Sequence, residues 1–356
     1  MRPRRYALAV ELTSHCNQRC GYCYNAWRAD NGKQVGALAS GDLLPLLERA
    51  LTEVEFDHVT LTGGEPFARA DLFEVLELCR ARAVGVVLIS NGGLVTNELA
   101  ARLAPFKVST VQVTLNGPEA ALHDEHVGGD HFAATLRGIE ALRRHGVHVS
   151  GCVVSTRKNA ARTGEILELF RGLGVTLVAL SRFSPAGFAA DQVAELLPAR
   201  SDLLQALEHA EEWCAAHGGE VQVTMPVPPC VVDHADYPHV RFGGCPIGTE
   251  MQEFALGPRG ELRHCTLHAS ELGDARQTSF AELVTAPQVA AYRDVTPEFC
   301  APCPERQSCI GGCGAAAVAN GTAGLDPLVA QHVDDAFAAR LARLRRGGGR
   351  PLTVVR

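Results

Sequence analysis

The sequence predicts an α/β fold: a partial (β/α)6 barrel of parallel strands, followed by a smaller, cysteine-rich C-terminal domain. Three observations carry this. Short apolar segments alternate with amphipathic stretches through the first 180 residues, a polar motif follows each of the first four strands, and beyond Gly218-Gly219 the composition shifts to Pro, Gly and Cys.

The expected strands are Tyr6–Glu11, His58–Thr62, Gly85–Ser90, Thr110–Leu115, His148–Val154 and Val175–Leu180. Between them Gly41–Glu53, Leu72–Ala81, Thr96–Leu103, Phe132–His145 and Gly164–Leu173 carry apolar residues at helical spacing. Such alternation means a parallel sheet with helices outside it, and in such folds chemistry collects at the carboxyl ends of the strands. The motifs follow that rule, with a cysteine loop after strand one, Gly63-Gly64-Glu65-Pro66 after strand two, Ser90-Asn91-Gly92 after strand three and Asn116-Gly117-Pro118 after strand four. A helical stretch from Ala189 to His217 leads out of the barrel. The division is therefore residues 1–217 for the barrel, 218–330 for the cysteine-rich domain and 331–356 for a C-terminal helix and basic tail. The second domain should contain a hairpin, Glu253–Leu256 and Glu261–His264, around the turn Gly257-Pro258-Arg259-Gly260.

With 356 residues, 46% of them hydrophobic, the chain can bury a large core. There is no apolar run of membrane-spanning length, and Met1-Arg2-Pro3-Arg4-Arg5 passes straight into a strand, so no signal peptide is expected. The expected location is the cytoplasm. Reducing conditions there disfavour disulfides, so thirteen cysteines need another explanation, which clustered thiolate ligation supplies. A net charge of −7 gives no general affinity for nucleic acid.

Cys16, Cys20 and Cys23 lie within eight residues directly after strand one. Three thiolates so close can each take one iron of a [4Fe–4S] cube, leaving the fourth iron open to a ligand. Zinc and a redox dithiol are the competing readings, but structural zinc wants four ligands and a CxxC motif has no use for a third thiolate upstream. In the turn after strand two, Gly63 and Gly64 let backbone approach a ligand, and Glu65 offers an acceptor for a cationic amine. A plain βα turn is the structural alternative.

With CxxxCxxC and GGEP in this order, the first 220 residues resemble the radical S-adenosylmethionine (SAM) superfamily. The resemblance implies that Cys16, Cys20 and Cys23 bind a [4Fe–4S] cluster whose open iron is chelated by S-adenosylmethionine, and that Gly63, Gly64, Glu65 and Pro66 contact its methionine amino group. It places Tyr22 near the adenine, and Ser90, Asn91, Thr114 and Asn116 near the ribose or carboxylate. His123 and Asp124 resemble a recurrent helix start of this superfamily, with Asp as an N-cap.

The later pattern resembles the SPASM extension: Cys245, fourteen residues, Gly260, four residues, Cys265, then Cys300-x2-Cys303-x5-Cys309-x3-Cys313. It implies one or two auxiliary [4Fe–4S] clusters, with Cys245, Cys265 and Cys313 on the first and Cys300, Cys303 and Cys309 on the second. Members of that family end on a further cysteine, whereas none follows Cys313 here. Asp326, His332 and Cys230 are the candidates for a substitute on the second cluster, and no extra cysteine completes the first. Cys79, Cys152 and Cys214 read as small buried hydrophobes. His264 and His268 read as solvent-facing hairpin residues, with proton carriage as the alternative.

The resemblance implies reductive cleavage of S-adenosylmethionine to a 5′-deoxyadenosyl radical that abstracts a hydrogen from the substrate. The favoured substrate is a ribosomally made peptide, oxidised or crosslinked, because the Cys245-x19-Cys265 spacing is similar to that of the pyrroloquinoline-quinone precursor-peptide maturase group. The alternative is a dehydrogenase or epimerase of a sugar, aminoglycoside or other small metabolite. Thr266, where the sulfatase-maturase group has aspartate, counts against formylglycine formation. Flavodoxin or ferredoxin is the implied electron donor. Because strand one opens the chain, a peptide substrate is expected to need a separate recognition protein or direct docking; neither nucleic acid nor membrane is an expected partner.

Overall fold

Strand β1 (Tyr6–Glu11) is buried along all six residues, as its unbroken apolar run requires of a central parallel strand. The structure is a computed structural model that describes residues 6–25, 27, 28, 36–294, 297–322 and 324–331. From β1 the sheet runs in chain order through β2 (Phe56–Thr62), β3 (Gly85–Ser90), β4 (Thr110–Thr114), β5 (Val149–Ser155) and β6 (Leu177–Arg182), every neighbour parallel. The intervening helices are α1 (Ser40–Glu53), α2 (Leu72–Ala81), α3 (Asn97–Leu103), α4 (Ala120–Val127), α5 (Phe132–Arg144) and α6 (Thr163–Gly172). One face of each strand feeds a continuous core with these helices: Val111 and Val113 of β4 pack there with Ile139 and Leu142 of α5. The other face of β4 carries half-buried Thr110, Gln112 and Thr114 toward the interior of the curved sheet.

Helix α4 was not apparent in the periodicity, because it buries His123 and His126 rather than an aliphatic stripe. Asp124 sits in the middle of it and is not its N-cap. Its carboxylate instead accepts the His131 and Phe132 amides at 2.9 and 2.8 Å, capping the start of α5. The sixth strand begins later than its sequence suggests. Val175 is spent closing the end of α6, where its amide donates to Phe170 O at 2.9 Å beside the left-handed Gly174.

After β6 come α7 (Val193–Leu196) and α8 (Arg200–His217), then two further parallel strands, β7 (Glu220–Val223) and β8 (Val240–Phe242). The hairpin appears as β9 (Glu253–Leu256) and β10 (Glu261–Arg263), followed by β11 (Glu271–Asp274). Strand β9 pairs parallel with β1 on the side away from β2, so the hairpin of the cysteine-rich region extends the barrel sheet. Among the described residues this makes one sheet of eleven strands that does not close, with β11 and β8 at its edges. No helix among these residues is long and apolar enough to cross a membrane.

Two buried ion pairs bind the cysteine-rich region to barrel strands. Glu11, ending β1, pairs with Arg263 of β10, whose guanidinium also donates to the carbonyls of Thr266 and His268, both at 3.2 Å. Arg182, ending β6, pairs with Asp326; the same carboxylate accepts the Cys313 amide at 2.7 Å and the Leu328 amide at 2.8 Å. Removing one member of such a pair strands the other charge in the interior. Arg182→Met is therefore expected to lower unfolding free energy by about 3–5 kcal/mol in denaturant titrations. Arg182→Met/Asp326→Leu is expected to recover part of that loss, and a single variant as stable as the parent would contradict the assignment.

Candidate active site

The loops after β1 and β2 leave the sheet side by side, because Glu11 is in register with Thr62. Backbone hydrogen bonds then stitch them together, Gly64 N to Thr13 O at 2.7 Å and Glu65 N to His15 O at 2.8 Å. Only residues without a Cβ fit there. A Cβ on Gly63, which has φ +123°, would lie 2.6 Å from Thr13 O, and one on Gly64 would lie 2.0 Å from His15 O. The glycines thus seat the turn against the cysteine loop. The loop is held from its other side by α4, through Arg19 N to Val127 O at 2.9 Å and Gly21 N to His126 O at 3.1 Å.

Cys16, Cys20 and Cys23 line one cavity of about 310 Å³, together with Tyr22, Gly63, Gly64, Ser90, Asn91 and Thr114. Burial pushes Cys16 up to about 11 and Cys20 up to about 12, with the neighbouring thiols adding to the shift and Arg28 opposing it. Cys16 and Cys20 therefore carry their protons at neutral pH, and bound metal must displace them. The Gln18 amide donates to Cys16 Sγ at 3.4 Å, and Asn91 Nδ2 donates to Asn17 Oδ1 at 2.8 Å, tying the end of β3 to the loop.

Three of the expected contact residues, Glu65, Pro66 and Asn116, do not line the cavity. Glu65 is fully buried, and its carboxylate accepts from Phe67 N at 3.1 Å, Ser90 Oγ at 2.8 Å and Asn91 N at 2.8 Å. It pins the turn to β3 and is not among the residues that line the cavity. Pro66 is buried at the start of the short helical turn that follows. Asn116 is also fully buried: its Oδ1 accepts Val154 N at 2.8 Å and its carbonyl accepts Asn159 Nδ2 at 3.1 Å, joining β4 to β5. A strand-end polar residue looks the same in sequence whether it faces a ligand or a neighbouring strand.

Sequence reasoning missed Gln18, Tyr24, Asn25, Trp27 and Arg28, all in the cavity wall. Asn25 Nδ2 donates to Gly63 O at 2.9 Å, and Trp27 Nε1 donates to Glu11 Oε2 at 2.8 Å. Gln18 Nε2 and Asn25 Oδ1 are buried without a partner among the described residues. A wall that keeps one donor and one acceptor unsatisfied beside three thiols suits a polar ligand. The only hint in the sequence was their closeness to the cysteines.

The C-terminal cysteines gather in two groups. Cys245 and Cys265 pack with Ile247, Ile310 and Tyr292, and Cys313 lies near enough for its charge to act on both thiols. Arg293 Nε donates to Ile247 O at 2.8 Å and its guanidinium also reaches Cys245 O, fixing that strand of chain. Cys300, Cys303 and Cys309 form the second group, against a small cavity. Among the described residues no three His, Cys, Asp or Glu are arranged to hold a single metal ion. His264 and His268 are buried beside the first group, with ring centroids 5.1 and 5.8 Å from that of Tyr292, so the expectation that they face solvent is corrected. Burial pushes His264 down to about 4. Cys79, Cys152 and Cys214 are buried. Asp326 is committed to Arg182 and to the Cys313 and Leu328 amides, and His332 lies outside the described residues.

Residues 10–170 match the radical SAM superfamily. These residues form a radical SAM domain. Its family uses a [4Fe–4S] cluster together with S-adenosylmethionine. The chain is 31% identical over 215 residues to mycofactocin maturase MftC of Mycolicibacterium smegmatis, a match covering 60% of the chain and 53% of that relative, so it spans about half of the maturase's length. It is 27% identical over 335 residues to the PqqA peptide cyclase of Streptomyces rochei, covering 90% and 89% of the two chains. The solved structure of native anSMEcpe with bound AdoMet superposes with a TM-score of 0.73 at 19% identity, covering 96% of this chain and 99% of that one, so the fold is shared across the cysteine-rich region as well. In the radical SAM domain, the three thiols around the cavity and the unsatisfied groups of Gln18 and Asn25 fit the family's cluster and cofactor.

Gly64→Ala is expected to push the His15–Cys16 backbone aside and cost about four irons per chain, one cube, with the C-terminal iron retained. Iron and sulfide assays on anaerobically reconstituted protein would measure it. A second expectation concerns Glu65, which burial pushes up to about 7 from its ordinary 4.5. A carboxyl raised on folding holds its proton more tightly in the folded state, so its stabilising contribution is complete below about pH 4.5 and lost as pH rises through about 7. Unfolding free energy of the parent minus that of Glu65→Gln should fall across this window. A flat difference would refute the burial effect.

Proposed function

We propose that the chain is a radical SAM enzyme that reductively cleaves S-adenosylmethionine and abstracts a hydrogen from a ribosomally made peptide, oxidising or crosslinking it. The observation that carries this reading is the convergence of Cys16, Cys20 and Cys23 on a cavity at the carboxyl rim of a parallel sheet, beside the Gly63-Gly64 turn. When bound, the cluster and cofactor supply a 5′-deoxyadenosyl radical from one-electron cleavage of a C–S bond.

The chain's own residues would bind, orient and exclude. Cys16, Cys20 and Cys23 would hold the cluster, whose remaining iron would be left for the cofactor. Gln18 Nε2 and Asn25 Oδ1 offer the cofactor's polar groups a donor and an acceptor. Tyr22, Tyr24 and Trp27 supply aromatic wall that keeps water from the radical. The half-buried face of β4 opens on the same interior, and Thr114 at its end lines the cavity, so a substrate entering along that face reaches the reacting position. The cysteine groups further along the chain would hold auxiliary clusters that take up the electron left on an oxidised substrate. A peptide substrate is supported by the names of the relatives, a mycofactocin maturase and a PqqA peptide cyclase. A flavodoxin or ferredoxin would reduce the first cluster, and the peptide would be presented by a separate recognition protein or by direct docking on the cysteine-rich region.

The test is anaerobic incubation of reduced, reconstituted protein with S-adenosylmethionine and short peptides encoded beside its gene. 5′-Deoxyadenosine should appear, with a mass change in one peptide. Cys16→Ala/Cys20→Ala/Cys23→Ala should make no 5′-deoxyadenosine yet keep about eight irons in the two auxiliary positions. Failure of the parent to cleave the cofactor would sink the reading, and loss of all iron in the triple variant would sink the division into independent cluster regions.

A further inference from the structure

The second C-terminal cysteine group has three thiols in the run Cys300, Cys303 and Cys309, and the chain has no cysteine after Cys313 to complete it. The structure brings a fourth from the opposite direction. Cys230, in the connection between β7 and β8, lines the same small cavity as Cys300, Cys303 and Cys309, with Pro229 and Phe299 among the other walls. Glu305 and Arg306 also lie in its wall. Cys230 is also near enough to each of the other three for their charges to interact.

The connection that carries Cys230 is held firmly. Arg182 Nε donates to Pro226 O and Arg200 Nε to Val231 O, both at 2.7 Å. His234 Nε2 contacts Val227 O at 2.8 Å, and its ring stacks on Phe242 of β8 at 3.9 Å. On the facing side, Cys309 is followed by Ile310 at φ +49°, a left-handed conformation that a β-branched residue adopts only under constraint, then by Gly311 at φ +81°. The Gly312 amide donates to Cys309 O at 3.0 Å, closing the turn that carries the thiol. Both sides of the cavity thus hold their thiols in place. The rival ligand Asp326 does not line the cavity, and its carboxylate is taken by Arg182 and by two backbone amides.

We infer that Cys230 is the fourth ligand of a second auxiliary [4Fe–4S] cluster, completing an all-thiolate set with Cys300, Cys303 and Cys309. The inference rests on the iron–sulfur reading above and adds what that reading left open. Each thiol loses its proton on ligation, and no redox change of the protein is involved. With four thiolates the cluster has no open iron, which fits it for electron transfer or for holding the fold rather than for binding substrate. It also clips the β7–β8 connection to the C-terminal cysteine run, joining two segments far apart in sequence.

The test uses the full chain carrying Cys16→Ala/Cys20→Ala/Cys23→Ala, so that iron reports the C-terminal region alone. After anaerobic reconstitution this parent should hold about eight irons, four per cube, and give two signals in electron paramagnetic resonance after reduction. Adding Cys230→Ala should remove between one and four irons and abolish or reshape one signal, while Cys214→Ala, a buried cysteine outside the cavity, should change neither. Cys230→Ser preserves side-chain volume, so if the alanine variant is poorly folded the serine variant still decides; it too should lose iron or shift that signal and its reduction potential. Unchanged iron, spectrum and potential in a folded Cys230 variant would overturn the inference. So would a parent with only about four irons, a result that leaves cofactor cleavage by the unmodified chain, and hence the proposed function, untouched.

Discussion

The contact of Gly63 and Gly64 with the backbone of Thr13 to His15 is the constraint on which the site depends. Parallel register delivers both loops to the same level of the sheet, but two amide–carbonyl bonds between the loops decide how the thiols are presented. Side chains then reinforce that seat from several directions. Asn25 grips the Gly63 carbonyl, and Glu65 reaches beneath to Ser90 and Asn91. The buried carboxylate is tolerated because three donors meet it, and its role is to hold β3 in step with the turn. The cavity owes its shape to this chain of contacts more than to any one lining residue.

The cysteine-rich region is referenced to the barrel by charge. Arg263 receives Glu11 from the end of β1 and holds the carbonyls of Thr266 and His268, just after Cys265. Arg182 receives Asp326, whose carboxylate positions the Cys313 amide, and also steadies the connection bearing Cys230. Burial holds Glu11 above the usual carboxylate range even with Arg263 against it, so this pairing is expensive to form. What the two pairs give is a hydrogen-bonded link from strand ends to the Thr266 and His268 carbonyls and the Cys313 amide.

The first six strands and five of their helices were legible because long apolar runs and helical periodicity are local signals. Helix α4 was not, since two of its three buried positions are histidines, His123 and His126, and the partner of His126, Thr156, lies beyond β5. Strands β7 and β8, of four and three residues, are too short to have a period, and their place depends on register with β6. The hairpin was visible as a hairpin, while its pairing with β1 was a long-range fact that no window contains. Within the site the cysteines and glycines were readable from spacing and conformational need. The inward or outward aim of Glu65 and Asn116 was not, because it is set by neighbours on other strands.

The pairing of β9 with β1 bears on how the molecule is made. A six-residue buried strand near the amino terminus acquires its second neighbour only when residues 253–256 have been synthesised. Until then one side of it displays unpaired amides and carbonyls, an invitation to association with other nascent chains. Late arrival of that neighbour makes the carboxyl-terminal third a guardian of the amino-terminal strand during biosynthesis, so a message cut short before codon 253 would yield a chain prone to aggregate rather than a smaller working barrel.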